Sequence, residues 1–145
     1  MQSSNFEVFK YNLIVRENHL DTFGHVNNAT YLQMLEEARW EFISSRGYDL
    51  NYVQKVGIGP VILEINMKFL KELCLRQKIT IESQTISYQN KIASLRQDIF
   101  NEAGELCFQS KMTFGLFDLK ARKLIMPTTE WSYAIGMSET KVVIK

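Results

Sequence analysis

The chain has 145 residues, of which 46% are hydrophobic and 23% are charged, and its formal net charge is +1. This length and composition predict one globular domain spanning residues 1–145, and the near-zero charge gives no electrostatic support for a nucleic-acid partner. No apolar run approaches the roughly 18 residues of a membrane-spanning helix, so we expect a soluble protein with no membrane partner.

The sequence also argues against a secretory signal and against a metal site. The first ten residues lack the basic and apolar regions of a signal peptide, so we expect a cytoplasmic protein. The two cysteines, Cys74 and Cys107, match no zinc or redox spacing. Two histidines, His19 and His25, are too few for a histidine-rich site, and we therefore predict no metal ligands.

The first predicted elements are a strand and a long helix. Residues 9–16, FKYNLIVR, alternate between apolar and polar side chains, which is typical of a strand with one buried face. After a polar loop, apolar residues recur at helical spacing and predict an amphipathic helix. Asn27 or Asn28 is expected to cap its start, and Gly47 to end it. The apolar positions of this helix are Tyr31, Met34, Leu35, Ala38 and Phe42.

Four further strands are predicted after an irregular stretch, at residues 61–70, 78–88, 92–100 and 106–118. In the second of these the alternation slips after Thr85, which indicates a bulge or a twist. LKARK predicts a tight turn before a last short segment, and Pro127 begins a tail that is either a short helix or an extended edge. In the first of the four strands, one face is expected to hold Val61, Leu63, Ile65, Met67 and Phe69.

These elements predict an α+β fold in which one long helix lies along a single antiparallel sheet. A helix of about eighteen residues reaches roughly 27 Å, and strands of about ten residues reach roughly 33 Å. The helix therefore covers one face of a curved sheet along its length. The other face or the edge of the sheet still needs cover, which a homodimer would supply.

The segment from Arg16 to Arg39 carries an Asp-x-x-Gly-His-Val-x-Asn motif that begins at Asp21. In this segment the chain resembles the hot-dog-fold acyl-CoA thioesterases of the hydroxybenzoyl-CoA thioesterase type. The resemblance implies a sheet of five to six strands wrapped around the helix, no cofactor, and homodimers joined edge to edge, often paired into homotetramers. It also implies active sites at the dimer interface, with Asp21 as the essential acid. His19 occupies the position where many relatives carry a second acid.

The chemistry of thioester hydrolysis fits such a sparse site. The leaving thiol has a pKa of about 8.5 and needs no strong general acid. Asp21 either acts as general base or attacks the carbonyl as nucleophile, and the sequence does not separate the two. Because a helix start presents unpaired amides, the amides of Gly24, His25 or Val26 are candidates for the oxyanion site.

Most candidate residues of this loop also have a structural interpretation, and for Asp21 it is that of a turn former. His25 is either catalytic or a hydrogen-bonded loop residue, and Asn27 and Asn28 either bind substrate or cap the helix. Tyr31 either lines the acyl pocket or belongs to the core. Val26 is a candidate substrate contact through its position at the helix start.

Charged residues outside the loop leave further alternatives. Glu36 and Glu37 are typical of a solvated or interface face, although a related branch of hot-dog enzymes uses a helix carboxylate, which keeps Glu37 as an alternative acid. A set of basic residues either meets the phosphates of coenzyme A (CoA) or belongs to a solvated strand end: Lys68, Lys71, Arg76 and Lys78.

The leading hypothesis is a short- or medium-chain acyl-CoA thioesterase. A hot-dog dehydratase acting on hydroxyacyl thioesters is the alternative enzyme, and a non-catalytic acyl-binding protein on the same fold is the third interpretation. The sequence leaves open the acyl group, its chain length, and whether the carrier is CoA or an acyl carrier protein.

Overall fold

A computed structural model of the chain describes residues 6–137. The long helix α1 spans Asn28–Ser45, and the short helices α2 and α3 span Leu50–Val56 and Thr129–Ala134. The six strands are β1 (Val8–Ile14), β2 (Ile58–Phe69), β3 (Lys78–Gln89), β4 (Ile92–Asn101), β5 (Leu106–Asp118) and β6 (Lys123–Ile125). A 3₁₀ turn, Glu17–His19, follows β1.

All the strand pairs are antiparallel, and the sheet has the order β1-β3-β4-β5-β2. The short strand β6 pairs with the end of β5, just beyond the point where β4 stops. With α1 lying against this sheet, the predicted α+β class and the hot-dog arrangement of six strands around one helix are confirmed. Strand β2 lies at one edge of the sheet and β1 at the other.

Helix α1 begins and ends as the sequence predicts. The side chain of Asn27 accepts a hydrogen bond from the Ala29 amide, so Asn27 rather than Asn28 is the cap. Gly47 has φ +89°, a conformation that glycine adopts without steric cost, and it follows the last turn of the helix. The helix buries one face, formed by Thr30, Tyr31, Met34, Leu35, Ala38, Phe42 and Ile43.

The core divides into two clusters along α1. The first half of the helix packs against β3, β4 and β5 through residues that include Ile81, Ile99 and Phe108. The second half lies over a cluster that includes Met112, Phe114 and Trp131, to which α3 contributes. The helix therefore runs antiparallel to β2, because Tyr31 near its start contacts Phe69 at the end of that strand.

The predicted buried face of β2 is wrong at its first two positions. The strand carries a bulge, because its register against β5 shifts between Ile62 and Glu64 and leaves Leu63 without an opposite residue. Ile62 lies opposite buried Phe114, and directly opposed side chains share a face. Ile62 therefore faces α1, whereas Val61 and Leu63 do not share the face of the residues after the bulge.

The bulge predicted after Thr85 in β3 is confirmed, because the register against β4 shifts between Thr85 and Ser87.

Helix α2 was expected to be an irregular stretch, and this prediction is wrong. The side chain of Asp49 accepts a hydrogen bond from the Tyr52 amide and caps the helix, and Gly57 ends it at φ +69°. The tail after Pro127 forms a short helix, which is one of the two predicted alternatives, and the side chain of Thr128 caps it. None of the helices within residues 6–137 is long and apolar enough to cross a membrane.

Strand β5 pairs with β4 as far as Phe114 and with β6 from Leu116 onwards. Gly115 lies between the two pairings, where only a small residue fits. A Cβ atom at this position would lie 2.7 Å from the carbonyl oxygen of Lys91 and 2.7 Å from a methyl group of Leu124. The leucine side chain can move, but the backbone oxygen belongs to the β3–β4 turn. Gly115 therefore allows three strands to meet at this end of the sheet.

We predict that Gly115→Ala lowers the free energy of unfolding by about 1–3 kcal/mol, the usual cost of overpacking. Urea denaturation followed by circular dichroism measures it. Lys111→Ala, on the exposed side of the same strand, is the control and should change stability by no more than about 0.5 kcal/mol. A Gly115→Ala variant as stable as the parent would contradict this packing.

Candidate functional site

The loop before α1 is closed by the side chain of Asp21. Its Oδ1 atom accepts hydrogen bonds from the amides of Phe23, at 2.9 Å, and His25, at 3.2 Å. The Asp21 amide in turn donates to the carbonyl of His25 at 2.8 Å. The second carboxylate oxygen, Oδ2, has no hydrogen-bond partner within residues 6–137. The carboxylate is half-buried, and it is oriented through one of its two oxygens.

Two of the three candidate oxyanion amides are already engaged inside this loop. Gly24, at φ +79°, donates to the Asp21 carbonyl at 3.1 Å, and His25 donates to the Asp21 carboxylate. The amide of Val26 donates to no acceptor among the described residues, and the same holds for Asn28. Asn28 is the first residue of α1, where unpaired amides and the helix dipole together favour negative charge.

The side chains of both histidines contact residues other than Asp21. Nε2 of His25 lies 2.7 Å from Oε1 of Glu72, which follows β2, and both side chains are about half exposed. Nδ1 of His19 accepts a hydrogen bond from the Arg16 amide at 2.8 Å. The carbonyl of His19 also accepts from the amide of Asn27 at 3.2 Å. The histidines therefore fix the two sides of the loop.

The remaining loop candidates divide between the cap and the core. Asn27 caps α1, while the Asn28 side chain is exposed beside it. Tyr31 is only 5% exposed, stacks on Phe108 at 4.8 Å between ring centroids, and meets Phe69 edge-on. This burial raises the pKa of Tyr31. Tyr31 thus supports the loop from beneath, at the end of β2.

A cavity of about 130 Å³ lies beside the second half of α1, well away from the Asp21 loop of the same protomer. Its walls are mainly apolar and come from α1, β2, β4, β5, α3 and the residue after α3. Prominent lining residues are Trp40, Ile43, Ile62, Met112, Phe114 and Trp131. No pattern in the sequence indicates this cavity, because its walls come from parts of the chain that are far apart in sequence.

A buried polar network forms part of this cavity wall. Arg39 donates from Nη1 to Oε1 of Gln97 at 3.0 Å. Gln97 is fully buried, and its Nε2 donates to the Leu35 carbonyl and to Oγ of Ser83, both at 3.0 Å. Burial lowers the pKa of the Arg39 guanidinium, and the nearby Glu36 carboxylate opposes this shift. One sequence signal pointed to Arg39, since it lies four residues after buried Leu35 on the same helix face.

The helix carboxylates have separate surroundings. Glu36 lines the cavity beside Arg39. Glu37 accepts a hydrogen bond from the hydroxyl of Tyr11 on β1, which raises the pKa of Tyr11 to about 12. Glu37 therefore faces the β1 edge of the sheet, and the cavity lies towards β2.

Three of the four basic residues considered for phosphate binding are paired with acids. Lys71 lies 2.5 Å from Glu105, Arg76 lies 2.6 Å from Glu17, and Lys78 lies 4.0 Å from Glu102. These exposed pairs partly neutralise the end of the sheet next to the Asp21 loop. Lys68 is the member of this set for which the described residues show no ion pair.

A metal site is not apparent in the described part of the chain, where no three side chains of histidine, cysteine, aspartate or glutamate come together. Cys74 is exposed and Cys107 is buried, and both are free thiols.

Comparison with known proteins gives a consistent family assignment. A family model described as the thioesterase-like superfamily matches residues 15–135. The long-chain acyl-CoA thioesterase FadM of Escherichia coli is 35% identical over 112 residues, which cover 77% of this chain and 84% of FadM. The crystal structure of YbaW, a probable thioesterase from Escherichia coli, is 31% identical, with a TM-score of 0.76 over 88% of this chain and 98% of that one.

A more distant structure shows the same fold. SAV2348 from Staphylococcus aureus, in complex with CoA, superimposes with a TM-score of 0.84 at 19% identity, covering 97% of this chain and 89% of that chain. At this identity the likeness shows the shared fold alone.

We predict that His19→Ala destabilises the protein by about 1 kcal/mol, because the Arg16 amide loses its acceptor at the start of the 3₁₀ turn. His19→Asp should recover most of this loss, since a carboxylate accepts the same bond. Urea unfolding of both variants measures the difference. If His19→Asp is as unstable as His19→Ala, the hydrogen bond does not hold the loop.

Proposed function

The chain belongs to the thioesterase-like superfamily and is a thioester hydrolase, and we propose that it hydrolyses acyl-CoA at a site shared by two protomers. The observation that carries the proposal is the geometry at the start of α1. There the Asp21 carboxylate is held through one oxygen, near backbone amides that have no acceptor within residues 6–137. This arrangement provides one anionic group that can attack the thioester or activate water, and separate amide donors for the negative charge that develops on the carbonyl oxygen.

Asp21 acts through its free Oδ2 atom. As a general base it takes a proton from water, and the hydroxide attacks the thioester carbonyl carbon. As a nucleophile it forms a mixed anhydride, which water then hydrolyses. In both routes the carbon–sulfur bond breaks and the CoA thiolate leaves without a general acid, since its pKa is about 8.5. The protein supplies the position of Asp21 in either case.

The oxyanion is stabilised by amides at the start of α1. Because the amides of Gly24 and His25 already donate to Asp21, the amides of Val26 and Asn28 are the better candidates. A positioned donor of this kind is worth about 3 kcal/mol in the barrier. Gly24 and His25 serve the reaction by shaping the loop that holds the carboxylate.

The second protomer pairs with the free edge of β2. This strand pairs with β5 and with no other described strand, so one row of its backbone groups lacks partners in the monomer. Apolar side chains at or next to this edge are about half exposed, namely Leu63, Phe69 and Leu70. Antiparallel pairing of two β2 strands about a two-fold axis covers the edge and gives a homodimer, which can pair again into a homotetramer.

This pairing brings the loop of one protomer to the cavity of the other. In an antiparallel pair, the Phe69 end of β2 lies beside the Ile58 end of the partner's β2. The Asp21 loop belongs to the Phe69 end, because Tyr31 contacts Phe69, whereas Ile62 lines the cavity. We therefore assign the apolar cavity of one protomer to the acyl group of a thioester at the other protomer's Asp21.

The pairing of His25 with Glu72 is the feature that favours the alternative function, a hydroxyacyl dehydratase. Such an enzyme uses a histidine base next to an acid. An absorbance assay for enoyl thioester formation tests this directly, and hydrolysis without any enoyl product is the result that we expect.

We predict that Asp21→Asn lowers kcat for acyl-CoA hydrolysis by at least about a hundredfold, the usual scale for losing a positioned base. The amide oxygen of asparagine still accepts the bonds from Phe23 and His25, so the loop and the fold should persist. Release of free thiol at saturating substrate measures kcat.

The matched control is Glu37→Gln, which removes one negative charge from α1 next to Tyr11. It should retain nearly full turnover, and circular dichroism with size-exclusion chromatography checks the fold of both variants. If Glu37→Gln loses activity while Asp21→Asn keeps it, the reactive carboxylate lies on the helix and the assignment of Asp21 is wrong.

A further inference from the structure

Cations without acidic partners concentrate at the end of the sheet that lies far from the Asp21 loop. Within residues 6–137, none of them lies within an ion-pair distance of a carboxylate, and all are exposed. We call them the distal basic cluster, and they are Lys55, Lys91, Lys120, Arg122 and Lys123.

Backbone contacts hold the members of this cluster at one end of the molecule. The amide of Leu119 donates to the carbonyl of Gly57 at 2.9 Å, which ties the turn after β5 to the end of α2. Lys91 lies in the β3–β4 turn, whose backbone packs against Gly115 of β5. Between α2 and the β5–β6 turn there is an open depression of about 460 Å³, with Lys55 and Lys120 in its walls.

The acids near this cluster do not neutralise it. Asp118 turns its Oδ1 atom towards the amides of Lys120 and Ala121, each at 2.9 Å. These bonds, that of Ala121 first, lower the pKa of Asp118, and the nearby charges of Lys123 and Lys120 lower it further, so this single acid offsets only part of the positive charge of the cluster. Glu130 lies on α3, and one of its carboxylate oxygens is buried without a hydrogen-bond partner within residues 6–137. A surplus of positive charge therefore faces solvent around the depression.

Within one protomer this cluster is out of reach of the reactive loop. Strand β2 separates the two ends, and its twelve residues span about 36 Å. Antiparallel pairing of two β2 strands removes this separation, because the Ile58 end of one strand lies beside the Phe69 end of the other. The end of the sheet that carries the distal basic cluster then lies beside the partner's Asp21 loop.

We propose that the distal basic cluster of one protomer binds the phosphate groups of CoA when the thioester lies at the partner's Asp21. This inference rests on the proposed function and adds the residues that recognise the carrier. CoA carries a diphosphate and a 3′-phosphate, and lysine binds phosphate as a compact point charge. A depression flanked by lysines accepts such groups, whereas the paired cations near the loop are already occupied by acids.

The test compares two thioesters of the same acyl group, one on CoA and one on N-acetylcysteamine, which lacks phosphate. For the double variant Lys120→Ala/Lys123→Ala we expect KM for acyl-CoA to rise at least about tenfold, with kcat unchanged, because two phosphate contacts are lost. The kinetics for the N-acetylcysteamine thioester should not change. The matched control is Lys10→Ala/Lys111→Ala, which removes the same charge elsewhere and should leave both substrates unaffected.

Calorimetric titration with CoA runs in parallel, so that the proposal is tested even if the wild-type protein hydrolyses neither thioester. Loss of CoA affinity in the double variant, but not in the control, supports the cluster. An unchanged CoA affinity and KM overturn it, and an equal loss on both thioesters overturns it in favour of a structural role. If KM for acyl-CoA rises in Lys71→Ala and not in the double variant, the phosphates bind at the loop end and the proposal is wrong. If the double variant loses activity only on an acyl carrier protein thioester, the cluster binds a protein carrier and the proposal is also wrong.

Discussion

The start of α1 is the constraint on which the rest of the site depends. A helix leaves its first amides without intrahelical acceptors, and here the Asn27 side chain satisfies that of Ala29. Within residues 6–137, the amides of Asn28 and of Val26, just before the cap, have no acceptor. The same segment folds back so that Asp21 binds two amides of its own loop. A fixed carboxylate and free donors thus arise next to each other from local hydrogen bonding, without any buried ion pair.

The fold supplies what this short loop lacks. Helix α1 runs antiparallel to β2, so the loop and the apolar cavity lie at opposite ends of the same protomer. A monomer would therefore hold the proposed reactive group, Asp21, far from the proposed acyl pocket, and its β2 edge would pair with no further described strand. Pairing the two edges resolves both problems in one step, which explains why the functional proposal requires two protomers.

Local features were accessible from the sequence, and long-range features were not. The Asn27 cap, the end of α1 at Gly47 and the bulge after Thr85 follow from residue type or from a break in alternation, and all three are confirmed. The sequence does not reveal the bulge at Leu63, because Val61, Ile62 and Leu63 are all apolar and no break in the alternation marks the shift. The contact of Arg39 with Gln97 joins residues 58 positions apart, and no local pattern predicts such a pair.

A mixed-dimer experiment tests the shared site most directly. Asp21→Asn inactivates the loop, and Ile62→Trp fills the cavity, so each variant alone should be nearly inactive on a long acyl-CoA. After random mixing, half of the dimers contain one subunit of each variant. In such a dimer with shared sites, one of the two sites carries neither change. Activity should therefore recover to about a quarter of the wild-type value. No recovery in dimers shown to have exchanged subunits would place the loop and the pocket within one protomer and contradict the account.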